Sequence, residues 1–591
     1  MGFWFERNQY EMCVVSLLWF LLLAQEVCVI ARVTAKKHVA VVGGGWGGLG
    51  AAKALVESGK YKVTVLDALP DPTGNTPFLT PTGKPFEAGF RGFWKDYPNM
   101  YDLVENELGL GLENIFTPFT NSSFYSPFGL EATAPVFSDS PFNELPSPVG
   151  QIAASLQLFE NLPLSDRASM VGLLYAMLDL YREGDATLER YDRMTAHELF
   201  LRMGVSSRLV EDFIKPTLLV GLFKPPTELS AAVTMELLYY YALAHQTSFD
   251  VRWIKGRSIA ETIVAPLCNS LKKRFPDDIK FLGNARVQQI CMNGGGDSGG
   301  DSHGEVSLVE RLTYSTGTET HQLEVDGCIL ALGSKGLKAV MRNSPVLASR
   351  SPELCAAASM EGIDVISVRL WLDRVVSTRT PANVLSRFDD LRGAGGTFFM
   401  LDQLQDKHML WGLEREEEEE EEGGGGELGS VLACDFYNAG ALLPLSDDAL
   451  EDVLMTRLLP EAIPAFRECT VVDRFVLRAP GAVTWFSPGS FKKRPPLEVT
   501  GVPNLKCAGD WVKMGNREHG SKGLCQERAY VAGLQAANSL IEAEADERPG
   551  VPHTILQVRD DEPQVKLGRE VNRKLQDLFF KPFGLDSFWT R

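Results

Sequence analysis

The sequence predicts an α/β fold, a Rossmann-like nucleotide-binding domain that is discontinuous in the chain and carries an α+β substrate-binding domain. Two glycine-marked segments near opposite ends predict it: Val39–Ala52 (V-A-V-V-G-G-G-W-G-G-L-G-A-A) and Asn504–Trp511 (N-L-K-C-A-G-D-W). The third observation is the alternation of apolar strands and helical stretches between them.

In the first segment a strand, His38–Val42, runs into Gly43-x-Gly45-x-x-Gly48 and then a helix of small residues, Leu49–Val56. Gly43 permits the tight turn, Gly45 lets backbone approach a pyrophosphate, and Gly48 lets helix and strand pack closely. The helix start then turns its free N–H groups to the phosphates. Trp46 and Gly47, at that start, join the candidate cofactor contacts. A second strand, Tyr61–Leu66, ends in Asp67, placed to accept ribose hydroxyls. A further strand at Ala285–Ile290 contributes Val287 to the same set, and a strand at Val325–Leu332 ends at Gly333. This pattern specifies an ADP-containing cofactor without separating FAD from NAD.

The far segment separates them. Val502–Ala508 reads as a strand leading into Gly509-Asp510-Trp511, followed by a helix at Gly523–Ile541 with Ala529, Ala532, Gly533, Ala536 and Ala537 on close-packing faces. It resembles the closing FAD motif of the flavin amine oxidase and carotenoid desaturase superfamily. The resemblance implies that the cofactor is FAD and that Gly509 and Asp510 contact its flavin side.

Within that superfamily, Glu87–Asn99 (E-A-G-F-R-G-F-W-K-D-Y-P-N) resembles the E-T-G-L-H-I-F-F-G-A-Y-P-N stretch of plant-type phytoene and ζ-carotene desaturases without a gap. Phe142–Pro148, Phe223–Ser230 (F-K-P-P-T-E-L-S) and Ile366–Arg374 (I-S-V-R-L-W-L-D-R) resemble further family stretches in the same order, so the similarity spans residues 38–545. Three departures stand out. The family's G-G-R/K stretch is replaced by Pro70–Asn75, its histidine aligns with Arg91, and its S-M-E-G-A aligns with Cys525–Ala529, which puts Glu527 at the acidic position and Arg528 at the glycine. Arg91 keeps its charge at any working pH and offers five donors, enough to hold a flavin carbonyl or a quinone oxygen but not to shuttle a proton.

What the resemblance implies is hydride removal from a saturated carbon beside a polyene, in a carotenoid or related isoprenoid, with a quinone as a possible acceptor. Such a substrate offers nothing to grasp, so a long apolar tunnel must orient it while the cofactor supplies the chemistry. No catalytic acid or base is assigned. Two other readings stay open: an amine oxidase-type flavoenzyme, which an aromatic cage with a nearby lysine would favour, and a flavin-bound, membrane-associated factor without turnover.

Composition agrees. A chain of 591 residues, 45% hydrophobic and 23% charged, exceeds one core and fits two connected domains. A net charge of −19 argues against a nucleic-acid partner. Seven glutamates, Glu416–Glu422, and Gly423–Gly426 read as a solvated loop, and Asn293–Glu305 as a hairpin tip. Ten cysteines lack C-x-x-C or metal-ligand spacing, which argues against zinc or iron–sulfur sites, and Cys507 and Cys525 read as small buried hydrophobes. No G-x-S-x-G, H-E-x-x-H or P-loop supports a hydrolase or kinase.

On this order the chain divides into a hydrophobic leader at 1–36, FAD-binding parts at 37–100, 251–345 and 490–545, substrate-domain parts at 101–250 and 346–489, and a tail at 546–591. Helices are expected at Gln151–Glu160, Asp166–Arg182, Thr195–Met203 and Ser230–Ala244, and alternating strands over 365–480. Phe116–Phe142 carries Phe119, Phe124, Tyr125, Phe128 and Phe137 among prolines, fitting either loop packing or a lipid-facing mouth. The apolar run Met12–Leu23 is short for a membrane span and fits a signal region or anchor. The family implies a plastid; Glu6 and Glu11 are unusual in a transit peptide. The expected location is therefore a plastid membrane surface, reached through an ER-type leader or from a misassigned start.

Overall fold

A computed structural model describes residues 36–579 and 582, apart from 73–77, 139–143, 148, 151–152, 154–161, 181–184, 294–306, 414–427 and 545–549. The leader, the glutamate run, the tip at 294–305 and nearly all of the helix expected at Gln151–Glu160 lie outside the described residues.

Runs such as K-H-V-A-V-V and Y-K-V-T-V-L are apolar on both faces, and such strands need cover on both sides, which a parallel sheet provides. Five of them form a parallel sheet in the order Leu505–Cys507, Gly327–Leu330, Lys37–Val42, Tyr61–Leu66, Ile279–Leu282. The first strand is central, with Val39 opposite both Gly327 and Val63. Trp46–Glu57, here the glycine helix, makes the crossover to Tyr61–Leu66. The strands expected at Val325–Leu332 and Val502–Ala508 are shorter, Gly327–Leu330 and Leu505–Cys507. Ala285–Met292, Val309–Thr316 and Glu319–Glu324 form an antiparallel sheet, whose first two strands flank the 294–306 segment as the two arms of a hairpin should.

Gln526–Ala543, the closing helix, crosses the glycine helix at backbone contact distance. A Cβ on Gly533 would overlap the Gly47 carbonyl, and one on Gly50 would overlap the Tyr530 carbonyl. Glycine is required there by space alone, since a packed interior cannot shift to admit even one methyl group without strain.

The second domain is a seven-stranded sheet ordered Val471–Thr484, Gly362–Leu372, Val431–Tyr437, Gly395–Met400, Ala382–Leu385, Ser122–Ser126, Gly129–Ala134. Its last two strands show that part of Phe116–Phe142, expected as loop packing or a lipid-facing mouth, is a hairpin. Ser122–Ala134 forms an edge hairpin that turns Phe124 and Tyr125 inward, Phe124 against Phe213 at 5.0 Å, while Phe128 at the turn is 87% exposed. The stretch 365–480 is also not all strand, because Asp447–Val453, Leu454–Leu458 and Leu459–Ala462 are helical and bury Leu450, Leu454, Leu458 and Leu459 in the core beside the sheet.

Among the helices, Thr195 caps Ala196–Arg202 by accepting the Glu198 amide at 3.0 Å. Ala231–Leu238 continues as a wide turn through Leu243. The expected helix Asp166–Arg182 is two, Leu164–Ala168 and Val171–Asp179. The tail is folded as well: Arg559 pairs with Asp96 at 2.6 Å, and Pro563–Phe579 forms a helix against Val171–Asp179.

Candidate functional site

A cavity of about 850 Å³ lies between the C-terminal ends of the parallel strands and one face of the seven-stranded sheet. Crevices at the carboxyl ends of parallel strands are where such sheets take ligands. Of the expected contacts, Gly45, Trp46, Asp67, Arg91 and Asp510 line it. Gly43, at φ +109, makes the turn, and a Cβ on Gly48 would overlap the Gly43 carbonyl, so these two shape the loop rather than the cavity wall. A Cβ on Gly47 would come to 3.1 Å from the Gly509 amide nitrogen, which brings the two glycine segments into contact. Val287 is buried on Ala285–Met292, outside the cavity lining.

Glu527 also stands apart from the cavity lining. Its carboxylate accepts the Asn99 amide (3.0 Å), the Asn99 side-chain amide (2.7 Å) and the Met100 amide (2.9 Å), tying the closing helix to the start of Pro98–Asp102. The residue chosen as a cofactor contact spends its acceptors on the protein itself. Burial pushes its carboxyl up to about 7 from an ordinary 4.5. The folded state therefore holds a proton that the unfolded state has released, and this group's contribution to stability falls as pH rises from about 4.5 to 7. Nearby His519, pushed by burial down to about 4 from 6.5, acts with the opposite sign below pH 6.5. Urea unfolding of wild type and Glu527→Gln across pH 4.5–7 should show that the wild type alone carries the falling component; parallel pH profiles would refute it.

The donor set fits FAD. A Cβ on Gly45 meets nothing within 4 Å, so the backbone there is open to the cavity, and the glycine helix begins at Trp46 without a side-chain cap. Asp67 accepts the Gly44 amide at 2.7 Å and the Leu69 amide at 2.8 Å, which leaves further lone pairs on both oxygens. Gln526, at the start of the closing helix, lines the cavity with both side-chain polar atoms buried and unpartnered. An orphaned buried amide facing a cavity marks a place for a polar ligand. Burial pushes Asp510 up to about 6, against the opposing pull of Arg528.

Of the opposite wall, sequence reasoning named only Arg91 as a contact. Glu87, Arg91, Ser367 and Asp435 line the cavity together. Asp435 accepts the Ser367 hydroxyl at 2.6 Å and the Phe90 amide at 3.1 Å, and Glu87 accepts the Ile259 amide at 3.0 Å. Burial raises both carboxyls, while Arg91 and buried Arg369 oppose it; burial in turn pushes Arg369 down to about 10. One signal was available: Asp435 is the lone charge in the apolar strand V-L-A-C-D-F-Y, and a charge is rarely buried unless paired. Arg528 is buried away from the cavity. It donates to the carbonyls of Asp510, Val512 and Ser521 at 2.6–2.8 Å and pairs with Glu518 at 2.5 Å. Cys525 lines the cavity and caps the closing helix, whereas Cys507 is buried in its strand.

Comparison with known proteins agrees with this geometry. The model of an NAD(P)-binding Rossmann-like domain matches residues 41–106. In sequence the chain is 27% identical over 538 residues to a carotenoid phi-ring synthase of Streptomyces griseus, covering 85% of this chain and 87% of that protein. It is 23% identical over 495 residues to the chloroplastic/chromoplastic 15-cis-phytoene desaturase of Solanum lycopersicum, covering 82% and 75%. The 15-cis-phytoene desaturase of Synechococcus elongatus is 24% identical over 343 residues, covering 57% of this chain and 66% of that one. In fold this chain is similar to cyclohexylamine oxidase from Brevibacterium oxydans, with a TM-score of 0.56 at 15% identity over 86% of this chain and all of that one. A putrescine oxidase bound to putrescine gives 0.55 at 14% over 87% and 99%. Fold and site define an FAD-dependent oxidoreductase. Within that class the chain is similar in sequence to carotenoid desaturases.

Proposed function

We propose that this chain removes hydride from an apolar polyene or related isoprenoid and passes the electrons to a quinone-like acceptor, at a plastid membrane surface. The observation that carries this reading is the cavity, whose walls are largely apolar side chains, with charge gathered at the nucleotide end (Asp67, Asp71, Asp510) and on the wall of Glu87, Arg91 and Asp435. Phe90, Trp253 and Phe399 pack ring on ring at 4.9–5.2 Å, and Phe124 and Phe223 extend the same wall. Such a wall excludes water and orients a substrate that offers no ionic handle. FAD, held by the Gly45 backbone, Asp67, Asp510 and Gln526, supplies the two-electron chemistry when bound. Arg91 presents a fixed positive charge to an acceptor oxygen. The proton lost from the neighbouring carbon has a place on Glu87, which accepts the Ile259 amide and whose carboxyl burial raises above its ordinary range.

Two findings favour this over the alternatives. No lysine is among the described residues lining the cavity, although an amine oxidase site was expected to pair its aromatic cage with one. Arg528 braces a loop outside the cavity, so its departure from the family glycine does not disable the site. The test is anaerobic: carotenoid in lipid vesicles, mixed with the FAD-loaded protein, should bleach oxidised flavin absorbance. Failure to bleach, together with oxidation of a water-soluble amine and release of hydrogen peroxide, would replace this reading with the amine oxidase one.

A further inference from the structure

One row of residues crosses the seven-stranded sheet beneath the cavity, in register from strand to strand: Leu477, Ser367, Asp435, Thr397, Val384 and Phe124. All six line the cavity. The ends of the row are apolar and its middle is polar, with Tyr437, two residues along from Asp435, lining the cavity beside it. A pure hydrocarbon seated on this floor would strip water from Asp435 and Thr397 and return no hydrogen bond, a cost that selects against it.

The middle of the row has a donor and an acceptor to spare. Ser367 donates its hydroxyl hydrogen to Asp435 at 2.6 Å, and the Phe90 amide donates to the other Asp435 oxygen at 3.1 Å, which leaves lone pairs on both. The Thr397 and Tyr437 hydroxyls meet at 3.1 Å, so one donates to the other, and the second hydrogen has no acceptor among the described residues. Thr397 stands directly opposite Asp435, and side chains so placed lie roughly 5 Å apart. A hydroxyl group fits between them, accepting the spare hydrogen and donating to Asp435. Charge agrees: Arg91 and buried Arg369 offset Glu87 and Asp435, so the place calls for neither an amine nor a carboxylate.

We propose that Asp435, Thr397 and Tyr437 form a subsite for a hydroxyl group, and that the substrate is a hydroxylated polyene rather than a plain hydrocarbon. The inference rests on the polyene reading above and narrows it. Tyr437 is held in place by Phe223, which keeps a left-handed backbone at φ +60 and stacks on the tyrosine ring at 4.8 Å. A bulky residue in that region is strained, and such strain persists where the surroundings fix the side chain at a functional place.

Tryptophan fluorescence of the FAD-loaded full chain reads occupancy, because Trp253 stacks on Phe90 in the cavity wall at 5.0 Å. Zeaxanthin, the dihydroxylated form of β-carotene, should bind at least about tenfold more tightly than β-carotene itself, the gain of a hydrogen bond to a charged group. The double variant Thr397→Val/Tyr437→Phe keeps the shape of the wall and removes both hydroxyls. It should make the two affinities alike, with flavin absorbance after desalting unchanged. Equal affinities in the wild type, or a preference that survives in the double variant, would overturn the subsite and leave the polyene reading standing. If neither carotenoid binds, the polyene reading falls and takes the subsite with it.

Discussion

Replacing Gly45 by leucine is expected to give a folded protein that holds no FAD. At Gly45 the backbone has φ −72 and ψ −176, which any residue adopts, and an added Cβ meets nothing within 4 Å. The apo fold therefore has no reason to object. The added side chain would instead project into the cavity that Gly45 lines, where a pyrophosphate must approach the backbone. Affinity should fall at least a hundredfold, about 2.8 kcal/mol, with the melting temperature of the apo protein within a few degrees of wild type. Gly48→Leu makes the contrast, since its Cβ would overlap the Gly43 carbonyl and the protein should fail to fold. Flavin absorbance after desalting checks both. Stoichiometric FAD in Gly45→Leu would remove the cofactor site from this loop.

Arg528→Ala should destabilise the fold more than any other single change near the site. Its guanidinium holds three carbonyls and the Glu518 carboxylate, from a position only 1% exposed. Arg528 and Lys522 together hold the Glu518 carboxyl well below the usual carboxylate range despite its burial. Without the arginine, Glu518 keeps Lys522 at 3.1 Å and the Val512 carbonyl keeps Arg494 at 3.2 Å, but the buried carbonyls of Asp510 and Ser521 lose this donor. Breaking one side of a buried pair of this kind costs roughly 3–5 kcal/mol. Asp510 would lose the cation that restrains its carboxyl, so FAD affinity should fall as well. Lysine at 528 should not rescue, because one ammonium cannot span the same partners as a planar fork. Urea unfolding measures the loss; a change below about 1 kcal/mol would show that the loop holds itself.

The near end of the candidate cofactor site was legible as structure because its logic is local. The turn at Gly43, the open backbone at Gly45 and the carboxylate ending Tyr61–Leu66 depend on neighbours a few residues away, and pattern and place coincide in the structure. Glu527 shows where alignment to a motif stops being enough. Its position matched, but which way the closing helix turns it was set by crossing the glycine helix at Gly47, Gly50 and Gly533, and that rotation aims it at Asn99 and Met100. Phe124 failed for a related reason: an aromatic among prolines reads the same whether it faces lipid or a partner strand, and pairing with Ala382–Leu385 decided it.

By itself the sequence determined the class of fold and an ADP-containing cofactor, since glycine spacing, strand-end carboxylates and apolar runs express short-range rules of backbone and burial; FAD and the kind of chemistry were what the family resemblance implied. Only the tertiary structure decided the rest. It gathered Glu87, Arg91, Ser367 and Asp435 from remote segments onto one wall, assigned Glu527 and Arg528 to bracing, and left the apolar stripe of Pro563–Phe579 facing outward. The physical reason is that which face of a helix or strand is covered depends on what packs against it, and those partners lie hundreds of residues away in the chain.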